Sequence, residues 1–220
     1  MNPWIAIKRR DLLDVIRACA GMTVDVSAAD SSVITGGEIP ISVTIVNRSD
    51  YPFSLSMIAS RYANPGKGVG KPLKNNEPIK TDLSFKVPDD MTISQPYWLQ
   101  KAPGKGAYTV DDQALIGLAE NPPAIPITVT LDDNQFHTMI FTVPALYRWV
   151  DPIRGEQTRP VDVVPEVTAN LEPKVVVFPD TQTKSVTVAL QNFTGPTTAN
   201  VHLEGPLGWK IDPQLSLIHI

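Results

Sequence analysis

The residues best suited to chemistry lie in one irregular stretch, residues 94–123, which is rich in glycine, proline, aromatic and acidic residues. It contains two adjacent aromatic residues, whose rings offer apolar faces with a polar edge. A further tyrosine and two adjacent aspartates follow, and these groups could hold a sugar hydroxyl or a calcium ion. The sequence therefore predicts a glycan-binding site made of Tyr97, Trp98, Tyr108, Asp111 and Asp112.

A structural interpretation of the same aromatic pair is the stronger one. On an extended chain, neighbouring side chains point to opposite faces, so only one of Tyr97 and Trp98 can point inward. The inward ring would belong to the core, and both would wedge the long connection onto a β-sheet. Irregular connections of this kind are nevertheless where binding residues concentrate on a β scaffold.

No pattern in the chain predicts catalysis or a metal site. His137 and His202 lie in strand-like segments without a histidine, cysteine or aspartate at metal-ligand spacing, so both are interpreted as surface or strand-face residues. The Gly-x-Ser-x-Gly pattern of many hydrolases does not occur. The acidic pairs Asp89-Asp90 and Asp132-Asp133 are interpreted as turns. Adjacent residues on a strand point to opposite faces, so an adjacent pair is not a ready-made acid/base pair.

Composition excludes several functional classes. The 220 residues carry a formal net charge of -4, which argues against nucleic-acid binding, because that function needs a basic face. The single cysteine, Cys19, permits no internal disulfide bond. No apolar run reaches the roughly 18 to 20 residues that span a bilayer. The chain is long enough to bury a core in one large or two small domains.

Hydrophobic periodicity predicts one helix followed by strands. Apolar residues recur at helical spacing over Leu12–Ala20, with a start at or before Leu12, and Gly21 stops the helix. Cys19 is assigned to the core-facing side of this helix. Beyond Gly21 the period changes to two, and every second residue of Ile39–Ile45 is apolar. Further strands are predicted at residues 51–59, 80–87, 126–131 and 135–143.

The fold class predicted from this pattern is all-β: an antiparallel immunoglobulin-like β-sandwich with one N-terminal helix and a long loop, plus a second, truncated sandwich. Residues 61–78, a glycine- and lysine-rich run, are expected to form a mobile surface loop. They are not a phosphate-binding loop, because Lys71 is followed by proline. The predicted divisions are residues 1–21 (helix), 22–147 (sandwich), 148–162 (linker), 163–214 (second domain) and 215–220.

The second domain is expected to hold four short strands, at residues 163–171, 175–178, 185–190 and 199–203, with Trp209 in its core. Residues 215–220 match the translation of a sequencing adapter, so they are expected to be an artefact. His219 is for that reason excluded as a functional residue. The natural chain is expected to continue beyond Gln214.

Several segments resemble the region downstream of the catalytic domain in bacterial PIG-L (LmbE-like) family deacetylases. The resemblance covers most of residues 11–165, and the part from about residue 163 is similar to a bacterial immunoglobulin-like module associated with α-galactosidases. The segments that carry it are Asp14–Gly21, Val46–Ser49, Gln95–Leu99, Asp111–Gly117 and Glu120–Pro123, with Gly208–Pro213 for the second module.

The resemblance implies a parent enzyme that removes the acetyl group from an N-acetylglucosamine-type sugar with a zinc-activated water. The family's zinc motif is His-Pro-Asp-Asp, and Val87-Pro88-Asp89-Asp90 departs from it at the essential histidine. The zinc and the catalytic domain are therefore expected upstream of Met1, in an extracytoplasmic protein. The leading hypothesis is a non-catalytic accessory scaffold that contacts this domain. The alternatives are a free-standing carbohydrate- or surface-binding module and, last, an intact hydrolase.

Overall fold

The structure is a computed structural model that describes residues 3–60, 63–135, 137–212 and 215–219. The chain divides into two compact units, residues 1–163 and residues 164–220. The larger unit contains the single long helix and most of the strands. Within the described part of the chain, no helix has the length and apolarity needed to cross a membrane.

The N-terminal helix, α1, spans Pro3–Cys19, so it begins before Leu12, within the predicted range. Its inner side packs on the core through Leu13 and Ile16, and Ala20 follows as a buried residue. Gly21 ends the helix with a left-handed φ of 55°, and the amide of Met22 then donates to the carbonyl of Arg17. This is the usual way a glycine closes a helix.

The prediction that Cys19 belongs to the core was wrong, since Cys19 is exposed. Leu13, Ile16 and Ala20 occupy the side of α1 that faces the sandwich. At about 100° per residue, Cys19 falls outside their arc.

The all-β prediction is confirmed: unit 1 is a sandwich of two sheets. The first has the order β10-β9-β1-β3-β6 and the second the order β5-β4-β7-β8, with β2 and β11 as a separate pair. The strands are β1 (Thr23–Ala28), β2 (Ser32–Ile34), β3 (Glu38–Val46), β4 (Ser54–Ser60), β5 (Ala63–Pro72), β6 (Ile79–Lys86), β7 (Pro126–Asp132), β8 (Thr138–Pro144), β9 (Leu146–Asp151), β10 (Gly155–Pro160) and β11 (Asp162–Val164).

The core lies between the two sheets and follows the predicted alternation. On β3, Ile39, Ile41, Val43 and Ile45 are buried while the residues between them are not. They belong to the same core cluster as buried apolar residues of β4, β7 and β8. The hairpin of β7 and β8 pairs Pro126 with Pro144 through to Asp132 with Thr138, close to the predicted position.

The segment predicted as a mobile loop, residues 61–78, contains strand β5, so that prediction was wrong. β5 pairs antiparallel with β4, with register shifts that mark irregularities in the ladder. One of its glycines, Gly66, is closely packed: a Cβ built there would lie 2.7 Å from the Cβ of Ala59. A strand without apolar alternation gives no periodic signal, and its partner β4 supplies the pairing instead.

The predicted linker, residues 148–162, is also a structured part of unit 1. It forms the antiparallel hairpin of β9 and β10, and β9 pairs in parallel with β1. Arg148 forms ion pairs with Asp25 on β1 and, at 3.0 Å, with Glu156 on β10. Polar cross-strand pairs of this kind stabilise an exposed hairpin. Its polar composition is therefore similar to that of a linker.

Unit 2 consists of two short antiparallel pairs in the described residues. β12 (Val167–Glu172) pairs with β13 (Thr187–Asn192), and β14 (Thr198–His202) pairs with β15 (Leu215–His219). The strand predicted at residues 175–178 does not form. The origin of residues 215–220 as an adapter artefact stays a prediction.

The prediction that Trp209 lies in a core was wrong. Its side chain is 52% exposed, and its ring meets Phe178 edge to face at 4.6 Å.

Candidate functional site

The predicted glycan-binding residues lie in the connection between β6 and β7, which is tied down at several points. Val87 and Ile125, at its two ends, are buried. Near its start, the amide of Ser94 donates to the carbonyl of Val163 (2.8 Å), and the amide of Val163 donates to Ser94 Oγ (2.9 Å). The prediction of a long, specific connection is therefore confirmed, although it contains two short 3-10 helices.

Asn121 closes this connection into a loop. Its amide nitrogen donates to the carbonyl of Gln95 (2.6 Å), and its amide oxygen accepts from the backbone amide of Tyr97 (2.9 Å). The Tyr97 hydroxyl also donates to the carbonyl of Leu118 (3.1 Å). Tyr97 is thus a structural residue that holds the two ends of the loop together.

Tyr97 and Trp98 do not alternate as the sequence predicted. Both lie in the 3-10 helix Tyr97–Leu99, where neither is buried, and their rings meet edge to face with centroids 4.9 Å apart. A helical turn rotates successive side chains by about 120° instead of 180°, so both rings can lie on the outside of the loop. The pair is a T-shaped aromatic cluster rather than one core ring and one surface ring.

The other three predicted residues lie in separate environments. Tyr108 is 59% exposed. Asp111 pairs with Lys101 at 2.7 Å, and Asp112 caps the 3-10 helix Gln113–Leu115 by accepting from the amide of Ala114 (2.9 Å). Among the five predicted residues, the contacts in the described part of the chain join only Tyr97 to Trp98. The two aspartates do not form a shared oxygen site with the aromatic pair.

A second cluster, which the sequence did not predict, lies at the turn between β7 and β8. The Asp133 side chain is 3% exposed and its Oδ2 accepts from the Tyr51 hydroxyl at 2.7 Å. Its Oδ1 accepts from the amides of Gln135 (2.8 Å) and His137 (2.9 Å). His137 Nδ1 lies 3.0 Å from Oδ2. His137 is exposed, as predicted for a surface histidine, and the sequence did not predict its contact with Asp133.

The electrostatics of this cluster follow from its hydrogen bonds. The Tyr51 hydroxyl, and then the groups of His137 and Gln135, hold the pKa of Asp133 well below its usual range. The same hydrogen bond raises the pKa of Tyr51, because loss of its proton would place two negative charges together. A carboxylate that accepts four hydrogen bonds is a weak base. Asp133 therefore joins the turn to the 47–53 segment and orients an imidazole that is 67% exposed.

This arrangement does not supply the ligands of a metal centre. Within residues 3–60, 63–135, 137–212 and 215–219, no three His, Cys, Asp or Glu side chains come together to hold a metal ion. The zinc chemistry that the resemblance implies therefore has no ligand set in this part of the chain. At the segment that departs from the zinc motif, Val87 is fully buried and Asp89-Asp90 form a turn, as predicted.

A sequence signal for part of the Asp133 cluster exists. Asp133 and His137 are four residues apart across a tight turn, a distance that allows a local side-chain contact. Tyr51 is 82 positions away from Asp133, and only the pairing of β4 with β7 brings the two together. His202, the other histidine, lies 3.6 Å from Glu204, and both are exposed.

No family model matches the chain, and a search of curated proteins found no similar sequence.

Proposed function

We propose that this chain is a non-catalytic accessory β-sandwich that docks onto a neighbouring protein domain through the outer face of α1. The observation that carries this proposal is that α1 has apolar residues on its outer side as well as on its inner side. Ile5, Leu12 and Val15 are 60%, 59% and 57% exposed, and Trp4 is 69% exposed. At about 100° per residue these four positions fall within an arc of about 100°.

The outer face of α1, defined by Trp4, Ile5, Leu12 and Val15, is distinct from the inner one. Leu13 and Ile16, which pack on the sandwich, lie on the adjoining arc. A helix at the surface of a folded unit needs only one apolar face. Lys8 lies within the same arc and pairs with Asp11 at 3.1 Å, so the outer face combines apolar residues with one charged residue. Additional exposed apolar residues on a helix are typical of a protein-interaction surface.

The partner we propose is the catalytic domain of a PIG-L family deacetylase in the same extracytoplasmic polypeptide. The support is the resemblance of the segments described above, of which Asp14–Gly21 covers the second half of α1 and the glycine that ends it. The chain itself is then a scaffold for deacetylation of N-acetyl sugars, and the zinc belongs to the catalytic domain. Assay of the purified chain with zinc and an N-acetylglucosamine oligomer should give no released acetate.

The docking is tested with a PIG-L-type catalytic domain encoded beside this sequence. We expect the two purified proteins to form a complex in calorimetry, and Leu12→Glu with Val15→Glu to abolish it. The matched control is Ala6→Glu with Ala18→Glu, which adds the same charge at exposed alanines outside the outer face of α1. Equal binding by both double variants would refute docking through α1, and acetate release by the chain alone would refute the non-catalytic assignment.

The second candidate function is carbohydrate binding by the β6–β7 connection, and the observation that favours it is the partly exposed T-shaped pair of Tyr97 and Trp98. Because Tyr97 holds the loop closed, Trp98 is the residue to test. Titration with chitin oligomers should show saturable binding that Trp98→Ala removes. The control is Trp149→Ala, at a tryptophan of β9 that is 38% exposed and stacks on Tyr147; equal loss in both variants would contradict a site at Trp98.

A further inference from the structure

A basic groove lies between the edge strands of the two sheets. β5 ends one sheet and β6 ends the other. The groove has a volume of about 410 Å³ and is lined by Lys67, Gly68, Val69, Lys71, Lys80, Thr81 and Asp82. This volume lies within the range of small-ligand pockets.

The charge in this groove is opposite to that of the chain. Three lysines face one aspartate in a protein whose net charge is -4. The Lys67 ammonium group donates to the backbone carbonyl of Asp82 (2.9 Å), which leaves the Asp82 carboxylate for Lys80 at 3.7 Å. Lys71 has no ion pair among the described residues. The groove therefore keeps a surplus of positive charge with donors that are not saturated.

The spacing of the lysines favours an extended ligand over a single ion. Lys67 and Lys71 are four residues apart on β5, but the strand is irregular between them and they lie opposite Ile58 and Leu55 of β4, so their backbone positions are about 10 Å apart. Lys80 comes from β6, so it faces the ligand from the opposite wall. A linear polymer with a carboxylate on each sugar could contact the two positions on β5 in succession, whereas a small anion could contact only one.

We propose that the groove between β5 and β6 binds an acidic polysaccharide that carries carboxylate groups. Ammonium groups recognise carboxylates through charge-assisted hydrogen bonds. Gly68 lies between the two β5 lysines and faces open space, since a Cβ built there would contact nothing within 4 Å. This site is separate from α1 and from the β6–β7 connection, so it does not depend on the proposed function.

Edge lysines have a second known role, which is to prevent edge strands from pairing with another molecule. That role would account for the charge of Lys67, Lys71 and Lys80 without any ligand. The two roles differ in what removal of the charge does. Loss of a protective role increases self-association, whereas loss of a binding role lowers the affinity for the polymer while the protein stays monomeric.

The test is calorimetric titration of the full chain with polygalacturonate at low salt, with neutral dextran and a single-stranded oligonucleotide as comparison polymers. We expect saturable binding of polygalacturonate that weakens as salt is added. The variant Lys67→Gln/Lys71→Gln/Lys80→Gln should bind roughly tenfold more weakly or worse. The control Lys74→Gln/Lys86→Gln/Lys105→Gln removes the same charge at exposed lysines outside the groove and should bind nearly as wild type.

Gly68→Glu provides a second variant that changes one residue and tests the groove itself. It places a carboxylate in open space within the groove, and we expect a similar loss of affinity. The proposal is overturned if wild type does not bind polygalacturonate, if it binds the oligonucleotide or dextran equally well, or if both triple variants lose affinity equally. It is also overturned if the groove variants bind as wild type and differ only by self-association in light scattering.

Discussion

Replacement of Asn47, a polar residue at the end of β3, should strongly destabilise unit 1. Asn47 is fully buried at the end of β3. Its amide nitrogen donates to the carbonyls of Tyr51 (3.1 Å) and Leu73 (3.2 Å), and its amide oxygen accepts from the amide (3.0 Å) and hydroxyl (2.8 Å) of Ser49. One side chain thus joins three segments of backbone.

The expected cost of Asn47→Ala follows from these four hydrogen bonds. The Tyr51 carbonyl keeps a second donor, the amide of Phe53 at 2.8 Å, but the Leu73 carbonyl and the Ser49 amide lose a partner in a buried or half-buried position. At about 1 kcal/mol for each net hydrogen bond, the free energy of unfolding should fall by about 3 kcal/mol. For a unit of this size, this corresponds to a decrease of roughly 6–12 °C in Tm.

Asn47→Asp separates hydrogen bonding from volume, because the two side chains have nearly the same shape. A carboxylate oxygen would face the carbonyls of Tyr51 and Leu73, so burial and these dipoles should raise the pKa of the new carboxyl above its unfolded value of about 3.9. A raised folded pKa favours the protonated form, which can donate to one carbonyl. Stability should therefore rise as the pH is lowered from 7 to 4.

The assay is differential scanning calorimetry of wild type and both variants at pH 7 and pH 4, with Asn134→Ala as the exposed asparagine control. We expect the control to stay within about 0.5 kcal/mol of wild type. Hydrogen exchange of peptides from β3 and β4 assigns the change to unit 1. The reasoning would be refuted if Asn47→Ala matched the control, or if Asn47→Asp were as stable at pH 7 as at pH 4.

Three further predictions concern side chains and backbone in the same unit. Because the folded pKa of Asp133 is depressed, its stabilising effect is fully present above the unfolded pKa of about 3.9 and is lost progressively as the pH falls from there toward the lower folded pKa. Tyr51→Phe should therefore lower Tm more at pH 6 than at pH 2, and an equal decrease at both would contradict this. Asn76 has a φ of 59°, so Asn76→Val should cost about 1–2 kcal/mol in urea unfolding, whereas Asn76→Gly should not destabilise. Gly66→Ala should cost about 1–3 kcal/mol through overpacking, whereas Gly68→Ala, which meets no atom within 4 Å, should be nearly neutral; equal effects would show that Gly66 is not closely packed.

The strands that the sequence predicted well are those with one buried and one exposed face. β3 alternates at every position, and the β7–β8 hairpin has apolar runs around a polar turn. Periodicity of two is a direct consequence of burial on one face, so it is visible in the sequence. The helix was predicted for the same reason, and its apolar periodicity was traced only from Leu12 because the inner face of α1 contributes packed residues only from Leu13 onward.

The strands that the sequence missed lie at or next to the sheet edges: β5 and β10 are edge strands, and β9 pairs with β10 and β1. β5 consists largely of glycine, lysine and proline, and β9 and β10 carry charged pairs. At an edge, pairing with one neighbour supplies the hydrogen bonds, while the side chains stay in water and carry no hydrophobic pattern. Gly66 is required by its close approach to β4, a tertiary contact that no local rule contains. The composition of these segments is therefore compatible with a loop as well as with an edge strand.

The candidate sites were missed for a related reason. Tyr97 was considered as a ligand-binding ring, but its hydroxyl and amide are used within its own loop, through Leu118 and Asn121. Asp133 was considered a turn residue, and it is one, but it also accepts from Tyr51, which a different strand brings near. Residue type indicated which side chains can form polar contacts, and topology decided which contacts they form.

The open groove between β5 and β6 is a consequence of the same topology. The two strands are joined by residues 73–78, yet they belong to different sheets, so each keeps an unpaired edge on the same side of the sandwich. Lys67 bridges the two edges through its hydrogen bond to the Asp82 carbonyl. The side chains at this open edge include Lys67, Lys71 and Lys80, so a polyanion would meet positive charge there.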